Sequence, residues 1–435
     1  MKDIHVGLIG FGTVGTGVVK LLTANGALIS EKLGARLVLK KIADLDTATD
    51  RGVVLAPGVL TANVNDILDN PGIDIVIELI GGYEPARTFV LRAIAAGKHV
   101  VTANKALLAL HGDEIYSRAA EAGVEVLYEA AVGGGIPVIS AIKGNMAANR
   151  FTTILGILNG TCNYILTRMT KEGSDFGTVL KAAQELGYAE ADPTFDIEGI
   201  DTAHKLALLI SLCFGTRVPF EQIYTEGITA ISALDINFAQ QFGYRIKLLA
   251  IGKRDGDRIE ARVHPTMIPV HYPMADVDGA FNAIRLTGDF VGPVMFYGRG
   301  AGMEPTASAV VGDAMDIARN ILAGIGSRVA ARGIIESSVK NLTIKPVGEI
   351  VSRYYIRFSA VDRPGVLAAI AGALGKNNIS IESMIQTGRS GDHVPIVIIT
   401  HEAAERDVAA ALAEIDGLEM IREKSNLIRI EDNLE

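Results

Sequence analysis

Certain residues of this sequence have types and spacings that could do chemistry. The first group is Gly10-Phe11-Gly12-Thr13-Val14-Gly15. A G-x-G-x-x-G run alone is weak evidence. Here it follows a strand-like run, Ile4-His5-Val6-Gly7-Leu8-Ile9, and opens an apolar-periodic helix over about Val14–Leu28. In that setting the glycines permit a tight turn and let a pyrophosphate approach the helix N-terminus, whose N–H groups and dipole favour anions. A plain glycine turn is the competing reading. Asp44, at the end of the second strand, could bind the ribose 2′-hydroxyl of NAD, whereas Lys40, Lys41 and Arg51 could serve the 2′-phosphate of NADP. The choice between NAD and NADP stays open.

The second group is Thr102-Ala103-Asn104-Lys105, just after a predicted strand. Strand ends carry the ligand site in a doubly wound sheet, so Lys105 could reach cofactor or substrate. A solvated loop lysine is the bland alternative. The third group is the densest: Glu190, Asp192, Asp196, Glu198 and Asp201 lead to Lys205. Gly187, Pro193 and Gly199 make much of this span a loop, and a helix starts at Asp201. Asp201 and Lys205 then share a helix face, which on a surface is an ion pair worth a few tenths of a kcal/mol. The sharper reading is an amino-acid site, where carboxylates hold an ammonium group and a lysine exchanges a proton with a carbonyl oxygen. The segment Leu206–Phe214 is apolar all round, which puts Lys205 at the mouth of the core and makes His204 a structural neighbour.

The elements that must position these residues read as three blocks. Over residues 1–135, strand-like runs (Arg36–Ala43, Ile73–Ile80, His99–Thr102, Val124–Tyr128) alternate with helical stretches such as Pro85–Ala96, the pattern of a parallel α/β nucleotide-binding sheet. Leu45–Asn70 has no clear element. The second block, 136–348, is an α+β region. It holds Ile154–Met169, Val179–Leu186 and a helix over His204–Phe214, then a strand-rich part from Gly243 to Pro293. The glycine-rich Tyr297–Gly302 leads to a helix near Ala307–Ala323. The third block, 351–430, reads βαββαβ, the ferredoxin-like order.

Composition sets the outer bounds. At ~150 residues per domain, 435 residues make two or three domains. A net charge of −9 disfavours nucleic acid and anionic membranes as partners, and no apolar run approaches a bilayer span. Two cysteines, Cys162 and Cys213, exclude a disulfide scaffold and fit a reducing cytoplasm. Cys162 lies in an apolar helical segment without a nearby histidine and Cys213 in the buried helix, so both read as packing residues rather than thiol nucleophiles.

The third group resembles the signature of homoserine dehydrogenases position by position. The likeness extends to Gly156-Ile157-Leu158-Asn159-Gly160-Thr161-Cys162-Asn163-Tyr164, to Asn104-Lys105, to Glu129-Ala130-Ala131-Val132-Gly133-Gly134-Gly135-Ile136-Pro137 and to Gly300-Ala301-Gly302-Met303-Glu304-Pro305-Thr306. From Ser352 the tail resembles an ACT domain, through Asp362-Arg363-Pro364-Gly365 and Asn377-Asn378-Ile379. The architecture expected is therefore α/β overall: a Rossmann-type domain, an α+β catalytic and dimerisation domain, and a ferredoxin-like ACT domain.

That resemblance implies reversible interconversion of L-homoserine and L-aspartate 4-semialdehyde with NAD or NADP, on the route to threonine, isoleucine and methionine. Lys205 matches the proton donor, and Lys105 lies near cofactor and substrate. Glu190 and Asp196 would bind the substrate ammonium, Asp201 would orient Lys205 or share that task, and Thr161 and Tyr188 would line the site. Besides Gly10, Phe11, Gly12, Thr13, Val14 and Gly15, the positions Gly81, Gly187, Gly302 and Lys105 match cofactor contacts. A monovalent cation, usually taken as sodium in the family, would fall on Glu129 and the backbone carbonyls of Val132, Gly134 and Ile136. Read without the resemblance, Glu129 is a buried acid or a cap. The tail implies an amino-acid effector such as threonine near Gly365 and Asn378, and a homodimer or homotetramer. The alternatives are a non-catalytic NAD- and amino-acid-sensing protein and a related semialdehyde dehydrogenase. Intact Lys105 and Lys205 argue against the first, and the thiols argue against the second.

Overall fold

The computed structural model describes residues 1–386 and 393–432. The chain forms two compact units, each discontinuous in sequence. Met1–Gly160, Asp201–Glu221 and Phe281–Leu342 make the first; Thr161–Ile200, Gln222–Ala280 and the chain from Thr343 onward make the second. The first unit contains the whole nucleotide-binding block and parts of the next one. The ferredoxin-like block lies in the second.

The first unit is built on a six-stranded parallel sheet. Its strands are β1 (Lys2–Ile9), β2 (Ala35–Ala43), β3 (Leu60–Thr61), β4 (Ile75–Glu78), β5 (His99–Thr102) and β6 (Val126–Leu127), in the order β3-β2-β1-β4-β5-β6. The central strands are buried along their length, so they read as unbroken apolar runs rather than alternating ones. Strand order reverses between β1 and β4, and ligands of open α/β sheets bind outside the strand ends at such a point. There β1 ends at the glycine turn, β4 at Glu78, and the neighbouring β5 just before Asn104-Lys105.

The helix after the glycine turn, α1 (Thr13–Leu33), runs further than Leu28 and stops at Gly34, whose φ of 73° is left-handed. Its last turn carries Glu31 and Lys32, exposed residues that no apolar period reveals. The helix Met303–Leu322 returns to pack on α1. It brings Ala307, Val310, Val311, Ala314 and Ile317 into one core with Ile4, Val6, Leu8 and Val18. The two helices come close because Gly17 has no Cβ to meet Met303. The unassigned Leu45–Asn70 stretch holds only β3 and a single helical turn, α2 (Asn65–Leu68).

Antiparallel strands Phe151–Ile157, Phe281–Gly288 and Gly292–Arg299 complete the first unit. Here the structure corrects two readings. Ile154–Met169 is not one element: a strand ends at Ile157 and a helix runs Gly160–Glu172. The apolar run Ile154-Leu155-Gly156-Ile157-Leu158 has no period that separates strand from helix, and the break falls at Asn159. Likewise the glycine-rich Tyr297–Gly302 is not one stretch: Tyr297–Arg299 ends a strand, and the following helix starts at Met303 rather than near Ala307.

The second unit is organised on a mixed sheet. Its strands lie in the order Tyr244–Asp255, Arg258–Pro269, Ile421–Ile430, Val351–Val361, His393–Thr400, Ile381–Gln386. The last four belong to the tail, and the helices Val366–Lys376 and Glu405–Asp416 complete its βαββαβ order. Tyr354, Ile356, Phe358, Ile370, Leu374, Ile396, Val408 and Ile415 fill the core between them. Strand Ile421–Ile430 also pairs with Arg258–Pro269, at Thr266–Arg429 and Met267–Ile430, so the tail's sheet continues into the rest of the unit. Among the described residues, no helix is long and apolar enough to cross a membrane.

Candidate active site

The glycine turn has the shape the sequence requires. Gly10 sits at φ 100°, where only glycine is comfortable, and its N–H donates to the Ala43 carbonyl at 2.9 Å. A Cβ on Gly15 would run into the Gly10 carbonyl. Gly12 caps α1 without a side-chain hydrogen bond, and the space where its Cβ would stand is open. Main chain is thus presented at a helix N-terminus whose first N–H groups have no intrahelical acceptor, which fits a pyrophosphate. Phe11, Thr13 and Val14 belong to the same turn and first helical residues. Asp44 braces it: Oδ2 accepts the Phe11 N–H at 2.5 Å and Oδ1 the Asp46 N–H at 2.8 Å. Arg51 lies 4.8 Å from the centre of the Phe11 ring and 3.3 Å from Asp46. Lys40 and Lys41 instead donate to the Gly72 and Gly58 carbonyls, at 3.0 and 2.6 Å.

Glu78, which no sequence signal singled out, ties the next strand ends together. Its carboxyl accepts from Ile80 N–H (2.9 Å), Gly81 N–H (3.2 Å) and the Thr102 hydroxyl (2.7 Å). Burial pushes this carboxyl up from its ordinary pKa, and those hydrogen bonds pull against it. Gly81, at φ 72°, is held in a left-handed turn. Asn104 closes the arrangement as N-cap of helix α3 (Lys105–Ala122): its Oδ1 accepts from Leu107 N–H at 3.1 Å, and its Nδ2 donates to the Gly82 carbonyl at 2.7 Å. Lys105 is thereby fixed as the first residue of that helix.

Lys105 and Lys205 converge on one carboxylate. Asp201, buried in the first turn of the helix Ile200–Phe214, lies with Oδ1 3.1 Å from Lys105 Nζ and Oδ2 2.6 Å from Lys205 Nζ. Lys205 Nζ also donates to the Leu158 carbonyl at 2.7 Å, and Asn159 Nδ2 donates to Asp201 Oδ2 at 2.9 Å. Burial alone would raise the Asp201 carboxyl. The two ammonium groups and the hydrogen bonds from Lys205 and Asn159 more than reverse this and hold it well below the usual carboxylate range. The i, i+4 pair is therefore not a surface ion pair: Lys205 is 9 % exposed and Asp201 4 %. The rest of the helix explains the burial, since Leu206, Leu208, Leu209, Ile210 and Leu212 are all buried. His204 is buried as well and stacks on Phe220, ring centres 4.2 Å apart, the structural place expected of it.

The remaining predicted substrate residues lie in the second unit. Thr161, in the helix Gly160–Glu172, donates its hydroxyl to the Tyr188 carbonyl at 2.6 Å, and the Tyr188 ring stacks on Tyr164 at 4.6 Å. Gly187 follows the helix Phe176–Glu185 at φ 75°. Glu190 is exposed, its backbone carbonyl held by Gln184 at 3.1 Å. Asp196 is half-buried in the short helix Thr194–Ile197, and its carbonyl accepts from the Cys162 thiol at 3.2 Å. Cys162 thus packs and braces. Burial raises the Cys213 thiol far above its ordinary pKa, unlike a nucleophile.

The predicted cation bend belongs to the first unit. Glu129 caps the helix Val138–Lys143 by accepting from Ile139 N–H (2.7 Å) and Ser140 N–H (2.6 Å). Asp313, unforeseen in sequence, accepts the Glu129 N–H at 2.8 Å; burial, and then the neighbouring Glu129 charge, push its carboxyl up to about 8. Val132 and Ile136 are buried, and Gly133 and Gly134 (φ 73° and 55°) turn the backbone between them. The Ile136 carbonyl already accepts one N–H, from Val138 at 2.8 Å. Each carbonyl or carboxylate oxygen keeps a second lone pair, so this all-oxygen set fits a hard cation. Gly302, at φ 123°, caps the helix Met303–Leu322.

Comparison with known proteins gives one answer along the whole chain. The homoserine dehydrogenase family model matches residues 137–315, the model of the NAD-binding domain of homoserine dehydrogenase residues 10–129, and the ACT-domain model residues 354–419. Homoserine dehydrogenase of Neisseria gonorrhoeae is 45% identical over 432 residues, 99% of each chain. That of Bacillus subtilis is 39% identical over 435 residues, 100% of this chain and 99% of its own. The crystal structure of a homoserine dehydrogenase from Thiobacillus denitrificans superposes with a TM-score of 0.93 at 48% identity, covering 99% of both chains. A hyperthermophilic archaeal homoserine dehydrogenase mutant, solved in complex with NADPH, shares the fold at a TM-score of 0.61 and 23% identity, over 75% of this chain and all of its own.

Proposed function

Because the chain belongs to the homoserine dehydrogenases, NAD(P)-dependent oxidoreductases that here carry an ACT regulatory domain, we propose that Lys205 is the residue that protonates the reacting oxygen. The Asp201 carboxylate shared between Lys105 and Lys205 carries this reading. When bound, the reduced nicotinamide supplies the hydride to the aldehyde carbon of L-aspartate 4-semialdehyde. Negative charge then develops on the aldehyde oxygen. Of the three N–H groups of the Lys205 ammonium, Leu158 and Asp201 take two, and the third is the proton assigned to that oxygen. The product is homoserine, and in the reverse direction Lys205 takes the proton back. A fixed ammonium aimed at developing charge needs no reorganisation during the reaction. Asp201 keeps both lysines in place.

Glu190 and Asp196 bind the substrate ammonium, with Thr161 and Tyr188 lining the site. The turn Gly10–Gly15 takes the pyrophosphate, with Gly81, Gly187, Gly302 and Lys105 as further cofactor contacts. NADP is the preferred form: Arg51 lies beside the turn, and Asp44 is engaged with the Phe11 and Asp46 N–H groups. The NADPH complex of the archaeal relative is consistent with this. A sodium ion on Glu129 and the carbonyls of Val132, Gly134 and Ile136 would be structural, neutralising the Glu129–Asp313 pair. The tail binds an amino acid such as threonine near Gly365 and Asn378, in a homodimer or homotetramer. Both positions have left-handed backbone, at φ 91° and 59°.

The test is oxidation of NADPH and of NADH with L-aspartate 4-semialdehyde, for wild type and Lys205→Ala. Wild-type turnover with a loss of roughly 10²- to 10⁴-fold in kcat for the variant is expected. A Lys205→Ala enzyme within tenfold of wild type would remove Lys205 from this role. The ratio of the two cofactors in wild type decides the NADP assignment.

A further inference from the structure

A buried ionic cluster joins the tail to the segment that carries Asp196. Arg429, on the tail's last strand, is 2 % exposed. Its guanidinium donates to both oxygens of Glu405, with Nε at 2.9 Å, and through Nη1 to Glu226 at 2.8 Å. Glu405 is the first residue of the tail helix Glu405–Asp416, and the Tyr354 hydroxyl donates to it as well, at 2.9 Å. Glu226 is also held by the Tyr224 hydroxyl at 2.8 Å, and the Tyr224 ring lies 4.9 Å from the Arg429 guanidinium. One arginine thus fastens a tail helix to residues 224–226, which belong to the part of the unit outside the tail.

Those residues bed the substrate segment. Glu226 N–H donates to the Val263 carbonyl and Ile228 N–H to the Ile197 carbonyl, each at 2.8 Å. Gly227 between them abuts the Ile197 carbonyl and the Glu198 backbone so closely that no Cβ would fit. Gly199 packs against the Thr225 and Val263 side chains, and the Thr229 hydroxyl reaches Glu198 at 3.4 Å. From Arg429 the path to Asp196 is one ion pair, two residues of chain, one backbone hydrogen bond and one further residue. Close-packed contacts of this kind transmit displacement instead of absorbing it. The helix Val366–Lys376, flanked by Gly365 and Asn378, packs beside Glu405–Asp416. An effector bound there would therefore act on the element that Glu405 begins.

We propose that Arg429 and Glu226 are positioning residues through which the state of the ACT domain sets the placement of Asp196, and hence substrate affinity. The proposal rests on Asp196 binding the substrate ammonium. It requires that breaking either side of the joint act on KM rather than kcat, and that both breaks act through one contact. The experiment uses the full-length enzyme and the variants Glu226→Gln, Glu405→Gln and the double variant. It measures kcat, KM for L-aspartate 4-semialdehyde and the calorimetric affinity for L-threonine. Expected is a KM increase of roughly 2- to 30-fold in each single variant, kcat within about twofold, and a double variant no worse than the larger single one. Threonine should bind Glu226→Gln as it binds wild type, yet no longer change its KM. Unchanged KM values, or single effects that multiply, overturn the joint. If threonine binds neither protein, the effector reading fails, and the KM cycle still decides the joint. Arg429→Lys keeps the charge without the fork; should Glu405→Gln not fold, this variant replaces it and must raise KM in the same way.

Discussion

Asp201 and Lys205 occupy the buried start of a helix, with Lys105 reaching Asp201 from the start of another, whereas Glu190, Asp192 and Glu198 sit exposed on the chain that leads into the first. The buried group is assembled from the chain's own residues: each Asp201 oxygen faces one ammonium, Asn159 donates to Asp201, and the Leu158 carbonyl takes one Lys205 N–H. Its electrostatics are set before any substrate arrives. Exposed carboxylates are held loosely and screened by water and salt, so they attract an ammonium weakly until binding excludes solvent. The contrast suggests a division of labour in which the lysine cluster governs the chemical step and the carboxylate segment governs binding.

The most severe test of that division is Asp201→Asn. The amide keeps the shape but leaves two ammonium groups facing each other without a counter-charge. A fall in kcat of roughly 10- to 10³-fold is expected, with a smaller change in KM, because the lost interaction orients the proton donor. Steady-state kinetics of semialdehyde reduction, with thermal unfolding to confirm a folded protein, decide the point. A change confined to KM would place Asp201 with the substrate carboxylates instead.

The converse pair is Glu190→Gln and Asp196→Asn. Each should raise KM for the semialdehyde on the order of tenfold while kcat changes less. Raising salt from 0.05 to 0.5 M, values chosen to shorten the screening length about threefold, should raise wild-type KM and leave kcat nearly constant. If kcat falls as much as in Asp201→Asn, the two regions act as one unit and the division of labour is wrong.

The same contrast explains what the sequence disclosed. The parallel sheet and the βαββαβ tail were legible because strand and helix periods alternate cleanly, and Gly10, Gly12 and Gly15 were informative because they follow a strand and open a helix. The third group was legible as chemistry because its carboxylates crowd a short loop. What sequence could not show is burial: Asp201 and Lys205 are a surface pair or a buried one depending on whether Leu158, Asn159 and Lys105 close over them, and those residues lie 42 to 96 positions away. Glu78 and Asp313 escaped for the same reason. Each is a single acid whose meaning comes from partners such as Thr102 or Glu129, far along the chain. The break at Asn159 was lost because an apolar run buried on every side has no period.

A third lysine shows what Asp201 provides by lacking it. Lys247, in the second unit, is more deeply buried than Lys205, but its nearest carboxylate, Asp278, is 3.5 Å away and 36% exposed. Its ammonium is held by neutral oxygens, the Val277 carbonyl at 2.6 Å and Asn163 Oδ1 at 3.3 Å. Burial accordingly lowers it from 10.5 to about 8, with Asp278 opposing. The sign of the effect on stability follows. Between about pH 8 and 10.5 the folded protein has released a proton that the unfolded chain still holds, so this group makes stability rise with pH across that window. Below pH 8 both states carry the proton, and the buried charge is a constant cost. Lys247→Met removes that dependence. Denaturant unfolding at intervals from pH 7 to pH 10.5 should show wild type gaining on the variant by up to roughly 3 kcal/mol, all of it in the alkaline half. Parallel curves would mean that Lys247 stays charged throughout, so that Asp278 balances it as Asp201 balances Lys205.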